Sequence, residues 1–411
     1  MSTKLIHTAF RNVTRNMRRS LLSATAIAVA AMSIVFLFSY IEGIKNDMKY
    51  NLENFYTGAI QIQHKDYEKF KRYNPLHLMV DYHSIAPILD DIEGITAYVP
   101  RTSFPANIYI NEENHAAMGV GVDFAKEAKY FDLKTILTDG RFPKEGANEV
   151  LMGSGLAHEL KLKIGEKITI LSTTAARGTN AITLKIVGLA AFPVAGMNAS
   201  FFWAPLDRVQ YFLRMQDKVQ NILVKTRDGV KNSKLSAEIA ETLKEKSSVT
   251  YDVRSTEDTN LMYSYLELGQ TIYYFIGIFF FLLGSTVIVN TTMMVIFERM
   301  REIGTLEALG MYGKELVRLF FFEGVFISTI GSFAGVLLGA AITWYFSKVG
   351  MDFTEALSGM NIEMASVMRP QLNVALTIFV FFYSVGIASL ATLIPSRKAA
   401  KIEPIEALRY I

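Results

Sequence analysis

Four apolar stretches, each long enough to cross a lipid bilayer, constrain what this 411-residue chain can fold into more than any other feature. A hydrocarbon core of about 30 Å, crossed at about 1.5 Å per helical residue, takes roughly 20 largely apolar residues. The stretches cover 21–41, 272–297, 319–346 and 372–394, and only the third holds an ionised residue, Glu323. A cleaved signal peptide is the rival reading of the first, with Arg15, Arg18 and Arg19 as its basic start and Ala28-Val29-Ala30 as a cleavage box. The apolar run continues past that box, too far for a signal core.

Loop charges orient the spans, because translocation disfavours Lys and Arg beside a span. The segment 1–20 holds Lys4, Arg11, Arg15, Arg18 and Arg19 and no acid. The loop 298–318 holds Arg299, Arg301, Lys314 and Arg318, and the tail 395–411 holds Arg397, Lys398, Lys401 and Arg409. The loop 347–371 has only Lys348 and Arg369. Both termini and 298–318 are therefore expected in the cytoplasm, and 42–271 outside it. The fold class follows: an α-helical membrane protein with four transmembrane helices plus an α+β periplasmic domain inserted between helices 1 and 2.

Within that outer segment, alternating runs at 59–63, 167–171, 182–189 and 221–225 predict strands, and Leu235, Ile239 and Leu243 predict a helix over 233–246. Ile44, Met48, Leu52 and Phe55 after the first span, and Leu261, Tyr265 and Leu268 before the second, recur at about one helical turn. They predict a helical stalk; two ordinary linker helices are the alternative.

Much chemistry is missing. The net charge of +3 is too mild to call for a nucleic-acid partner, and with no cysteine there is neither a disulfide nor a thiolate metal site. Gly313-Lys314 is followed by Glu315, which lacks the hydroxyl of a phosphate loop, and the six histidines show no metal-ligand spacing. No serine sits in a nucleophile elbow. The spans hold one acid, so an ion relay has little to stand on, and any energy must come from another subunit.

Three segments carry positive content. The leader 1–20 sets Leu5, Ile6, Phe10, Val13 and Met17 on one helical face, the pattern of an interfacial helix, or else a basic leader with no fixed structure. In 298–318, Ile303, Leu306 and Leu309 can form an apolar knob rimmed by Arg301, Glu302 and Glu307 and ended by Gly310; a plain connector is the alternative. In the third span, Gly331, Gly335 and Gly339 recur every fourth residue, which lets another helix approach closely. Glu323 reads as structural, within reach of interfacial water or Arg318.

The runs VNTTMMVIFERMREIGTLEALGM (289–311), PSRKAAKIEPIEALR (395–409), AFRNVTRNMRRS (9–20) and MGSGLAHELKLKIGEKITI (152–170) resemble the permease family that includes LolC, LolE, MacB and FtsX. The resemblance implies the membrane half of an ABC transporter that works by mechanotransmission, in which separate ATPase subunits dimerise and move the stalk and outer domain. ATP and magnesium then belong to an ABC ATPase dimer, and this chain binds no cofactor and is itself no enzyme. It further implies that 298–318 is the coupling helix, with Arg301, Glu302, Ile303, Leu306, Glu307 and Leu309 as the ATPase contact. A second permease, either another copy or a homologue, completes such a complex in the inner membrane. This chain looks most like the LolC and LolE lipoprotein-releasing permeases, since MacB-type chains usually carry an N-terminal ATPase and FtsX ectodomains are usually smaller. The load is then a lipoprotein or other amphiphile drawn from among membrane lipid. An FtsX-like transmitter that activates a periplasmic partner and a MacB-like exporter of small molecules or peptides stay open. Candidate substrate contacts are Phe192, Met197, Phe201, Phe202 and Trp203, in a segment whose plainer reading is a loop packed into the domain core, and the face of Tyr40, Ile44 and Met48.

Alkaline phosphatase, which is active only outside the cytoplasm, should be active when fused after Lys65 and inactive when fused after Met311. The reverse pattern would sink the orientation.

Overall fold

The structure is a computed structural model that describes residues 2–15, 17–110, 113–259, 261–298, 300–308, 310–353 and 367–400. In chain order, α1 (Ser2–Arg15) and α2 (Met17–Asn51) lead into β1 (Ile60–His64), α3 (Tyr67–Phe70), α4 (Tyr82–Asp90), β2 (Ile95–Ile110), β3 (Glu113–Val122), α5 (Phe124–Tyr130), β4 (Leu137–Gly140) and β5 (Glu149–Gly153). There follow α6 (Ser154–Glu159), β6 (Lys167–Thr173), β7 (Thr179–Ala190), α7 (Ala195–Ser200), β8 (Phe201–Pro205), α8 (Leu206–Leu213), β9 (Asn221–Thr226), α9 (Asn232–Lys246) and β10 (Tyr251–Ser255). The chain continues through α10 (Thr256–Thr259), α11 (Leu261–Glu298), α12 (Met300–Ala308) and α13 (Gly313–Val349) to the helices Val374–Ala391 and Leu393–Ala399. Two compact units result: one of Met1–Lys45, Leu266–Met351 and Met368–Ile411, the other of Asn46–Tyr265 and Asp352–Val367.

Three helices among the described residues are long and apolar enough to cross a membrane: Ser20–Tyr56, Gly313–Val349 and Val374–Ala399. The predicted stretch 272–297 lies inside α11, several of whose side chains fall outside the described residues. Helix outruns apolarity after the first stretch. Beyond Ile41 the residues of α2 turn polar, yet none is Gly or Pro except Gly43, so the helix continues through Ile44 and Met48 to Asn51.

The second unit is built on a 10-stranded mixed sheet in the order β10-β1-β9-β2-β3-β8-β5-β7-β4, with β6 bridging β2 and β7. Most neighbours are antiparallel; β8 runs parallel to β3, and β5 parallel to β7. The predicted strands at 59–63, 167–171, 182–189 and 221–225 correspond to β1, β6, β7 and β9, and the predicted helix to α9. Leu235, Ile239 and Leu243 of α9 are buried with Ile60, Ile62, Ile85, Leu89, Ile222 and Val224, so α4 and α9 cover the β1 and β9 end of the sheet.

Interior strands of this sheet are covered on both faces, and β8 shows it. Successive strand residues point to opposite faces. Phe202 enters a cluster with Phe104, Phe212, Ile108 and Ile186, while its neighbour Trp203 enters a second cluster with Phe55, Tyr130, Phe131 and Phe192. A strand buried on both sides reads as a continuous apolar run rather than an alternating one.

At the rim of this unit, Arg141 grips Glu149 with both terminal nitrogens, at 2.8 and 2.6 Å, and the Lys144 N–H adds a third bond at 3.0 Å. The Arg141 bonds hold the Glu149 carboxyl down to about 2, against its ordinary 4.5. A depressed carboxylate stabilises the fold above its ordinary value and loses that contribution as pH falls. Unfolding followed by Trp203 fluorescence in a Trp344→Phe background should therefore show stability lost between about pH 4.5 and 2. Glu149→Gln should remove that share of the acid sensitivity.

Candidate functional site

The segment between α11 and α13 is the most chemically distinctive part of the first unit. Its short helix α12 is fastened on one side: Met300 and Ile303 are buried with Ile296, Leu316, Phe320 and Ala399. Gly310, at φ 97°, turns the chain out of this segment in a conformation open to glycine. The next helix starts at once, with the Tyr312 N–H donating to the Glu315 carboxylate at 3.3 Å.

This burial divides the predicted contact set. Arg301 is exposed. Ile303 is 3 % exposed, so it belongs to the interior cluster and is not free to stand on an outward knob. The physical reason is that α13 and the helix Leu393–Ala399 cover the side of α12 that carries Met300 and Ile303. The side chains of Glu302, Leu306 and Glu307, and all of Leu309, lie outside the described residues.

The glycines of α13 meet α2. A Cβ on Gly331 would stand 2.5 Å from the Ala24 carbonyl oxygen and one on Gly339 2.9 Å from the Val35 Cβ, and at Gly335 it would strike the Ala28 backbone. Only hydrogen fits there, so dispersion contacts between two backbones replace side-chain packing. The seam is longer than the three glycines. Ser328, Ser332 and Thr343 of α13 are also fully buried, and Ser328 Oγ lies 3.1 Å from Ser389 Oγ on the helix Val374–Ala391. Their small size at three- and four-residue spacing was the signal available in the sequence.

Glu323 finds a partner that the sequence reading did not name. The Asn12 side-chain amide of α1 donates to its Oε1 at 2.6 Å, and Phe10 meets Phe326 edge-on at 5.5 Å. α1 thus seats on α13 through Ala9, Asn12 and Val13, which are buried, while Ile6, Phe10 and Met17 of the predicted apolar face remain exposed. A carboxylate among apolar neighbours needs such a donor, and a one-dimensional reading could not supply a residue 311 positions away.

The structure places most of the predicted substrate contacts in the interior, the alternative open in the sequence. Phe192, Met197, Phe202 and Trp203 are 0–4 % exposed and belong to the core, and Phe201 is half-buried against Tyr56 at 6.4 Å. Residues 201–205 form an interior strand between β3 and β5, buried at 202–205 and half-buried at Phe201. Tyr40 donates its hydroxyl to the Met368 sulfur at 2.9 Å, Ile44 is half-buried, and Met48 is 3 % exposed.

Residues 20–242 match the family model described as MacB-like periplasmic core domain, and 274–404 the one described as FtsX-like permease C-terminal. Over 95 % of this chain and 94 % of that protein, it is 22 % identical to the lipoprotein-releasing system transmembrane protein LolC of Neisseria meningitidis. It is 22 % identical to the LolE counterpart of Haemophilus influenzae over 77 % of each chain. Identity to the macrolide export ATP-binding/permease protein MacB of Bdellovibrio bacteriovorus is 21 %, over 98 % of this chain and 61 % of that protein.

Gly386 has nothing within 4 Å of an added Cβ, which makes it a control for the seam. Gly335→Val should destabilise the protein by about 1–3 kcal/mol or prevent its folding, whereas Gly386→Val should stay within about 0.5 kcal/mol. Thermal unfolding of both variants in nanodiscs is the measurement.

Proposed function

The chain belongs to the permeases built from a MacB-like periplasmic core domain and an FtsX-like C-terminal region, and from that premise we propose that it is the membrane subunit of an ABC transporter releasing lipoproteins from the inner membrane. The observation that carries this reading is the likeness to LolC across 95 % of this chain, with both family regions in one chain and in that order. In this reading four helices span the membrane, α11 supplying the second, and both termini lie in the cytoplasm.

The segment around α12 is the coupling helix. Met300 and Ile303 anchor it from within, and a partner ATPase grips what faces outward, Arg301 among the described residues. An anchored short helix moves with α13, so a push on it is delivered to the seam with α2 rather than lost in a loose loop. ATP and magnesium are bound by the ATPase dimer, and a second permease completes the complex. The glycine seam suits a lever, since two backbones in contact leave no side-chain layer to compress.

The test is reconstitution with the cognate ATPase in proteoliposomes carrying a fluorescent triacylated lipopeptide. ATP should drive its release, and Arg301→Glu combined with Leu306→Glu and Leu309→Glu should uncouple release and weaken ATPase co-purification. If the wild-type complex hydrolyses ATP without releasing the lipopeptide, the lipoprotein reading fails. If the triple variant keeps its ATPase and its release, the coupling assignment fails.

A further inference from the structure

The most heavily charged buried site of the described residues serves the end of α2 and has no part in the function drawn so far. After Asn51 the chain makes one wide turn, Leu52–Tyr56, closed by the Thr57 N–H donating to the Leu52 carbonyl at 2.9 Å. No helix follows, so the carbonyls of this last turn need donors from elsewhere. Two receive them from the sheet domain: Tyr130 Oη donates to the Glu53 carbonyl at 2.8 Å and Arg101 Nη2 to the Asn54 carbonyl at 2.6 Å.

Arg101 is itself held. Its Nε and Nη2 donate to the two carboxylate oxygens of Glu127 at 2.7 and 2.8 Å, with the two residues 3 % and 0 % exposed. The guanidinium carbon lies 5.4 Å from the Trp203 ring and 5.8 Å from that of Tyr130. Lys225 Nζ donates to the Tyr130 carbonyl at 2.8 Å and to Asn54 Oδ1 at 3.3 Å. Burial opposes the Arg101 charge, but Glu127 outweighs it and holds the guanidinium above its ordinary range; burial keeps Tyr130 protonated and so a donor.

A buried ion pair is a poor means of adding stability, because well-packed apolar residues of the same volume do as well or better. What the planar guanidinium fork adds is direction: it fixes three bonds in one plane, which an apolar cluster cannot do. Charge at the negative end of a helix also complements its dipole.

We propose that Arg101, locked by Glu127, is a positioning residue for force transmission, pinning the last turn of α2 to β2 and α5 so that the sheet domain follows that helix end without slip. This inference rests on the ABC permease reading. Apolar packing of Phe55 against Phe131, at 5.1 Å, keeps the turn near the domain, and the Arg101 fork sets its angle.

The chain has no cysteine, so spin labels can be placed at will. We would label Lys49→Cys and Lys129→Cys, both on exposed positions of the second unit, in the full chain reconstituted with its ATPase. Double electron–electron resonance should give one narrow distance distribution that persists between nucleotide-free and ATP-trapped states. Arg101→Met should broaden it, as should the charge-neutral pair Arg101→Met with Glu127→Gln, which leaves no lone buried charge and so keeps the fold testable. Lipopeptide released per ATP hydrolysed should fall at least about tenfold in the pair variant. A narrow distribution in a pair variant that melts like the wild type overturns the inference, as does a broadened one with wild-type coupling. Failure of the wild-type complex to couple ATP to release is read separately, since it counts against the permease function and not against the pin.

Discussion

One buried ion pair ties together the elements of the sheet domain. Arg101 and Glu127 sit where β2, α5, β8 and the end of α2 meet, and each is enclosed almost completely. Neither charge can be buried alone, since an ionised group without a partner in an apolar interior is unfavourable by several kcal/mol. The two must therefore arrive together, and with them the elements they stand on. Asp123 starts α5 by accepting the N–H groups of Ala125 and Lys126, each at 3.1 Å, and this places Glu127 and Tyr130 one turn apart toward Arg101 and the Glu53 carbonyl. The aromatic cluster of Phe55, Phe131, Phe192 and Trp203 closes round the pair and excludes the water that would weaken it.

The membrane unit solves a different problem. Lipid tails are as apolar as leucine, so burial alone does not bring helices together, and contact must come from shape. The α13 stripe of Gly324, Ser328, Gly331, Ser332, Gly335, Gly339 and Thr343 does this: its members are all buried, and the glycines among them leave no room for a Cβ. Two of the enclosed polar groups have specific partners, as Glu323 has Asn12 and Ser328 has Ser389, whereas the hydroxyls of Ser332 and Thr343 find none among the described residues.

Several parts were legible because their information is local. A residue's helical or strand preference, and whether its neighbours repeat at four residues or two, is written within a window of about ten positions. Hence β1, β6, β7, β9 and α9, and the apolar faces of α9, could be read directly. The two readings of Phe192 to Trp203 have the same origin. An apolar, aromatic and glycine-bearing run is compatible with an open contact loop or with a strand covered on both faces, and only the pairing of β8 with β3 and β5 decides between them. Ile303 shows this on a helix: its periodicity marks an apolar side without saying what covers it.

By itself, the sequence determined that the chain is a membrane protein, because apolar length is a sum along the chain. It also determined the close seam, since glycine spacing alone says where backbones can touch. Only the tertiary structure decided which charges are compensated and which faces are covered. Arg101 is one arginine among many until Glu127, 26 positions on, and Asn54, 47 positions back, are brought to it. Such choices depend on contacts between distant segments, and charge compensation at a distance leaves no periodicity for a local reading to find.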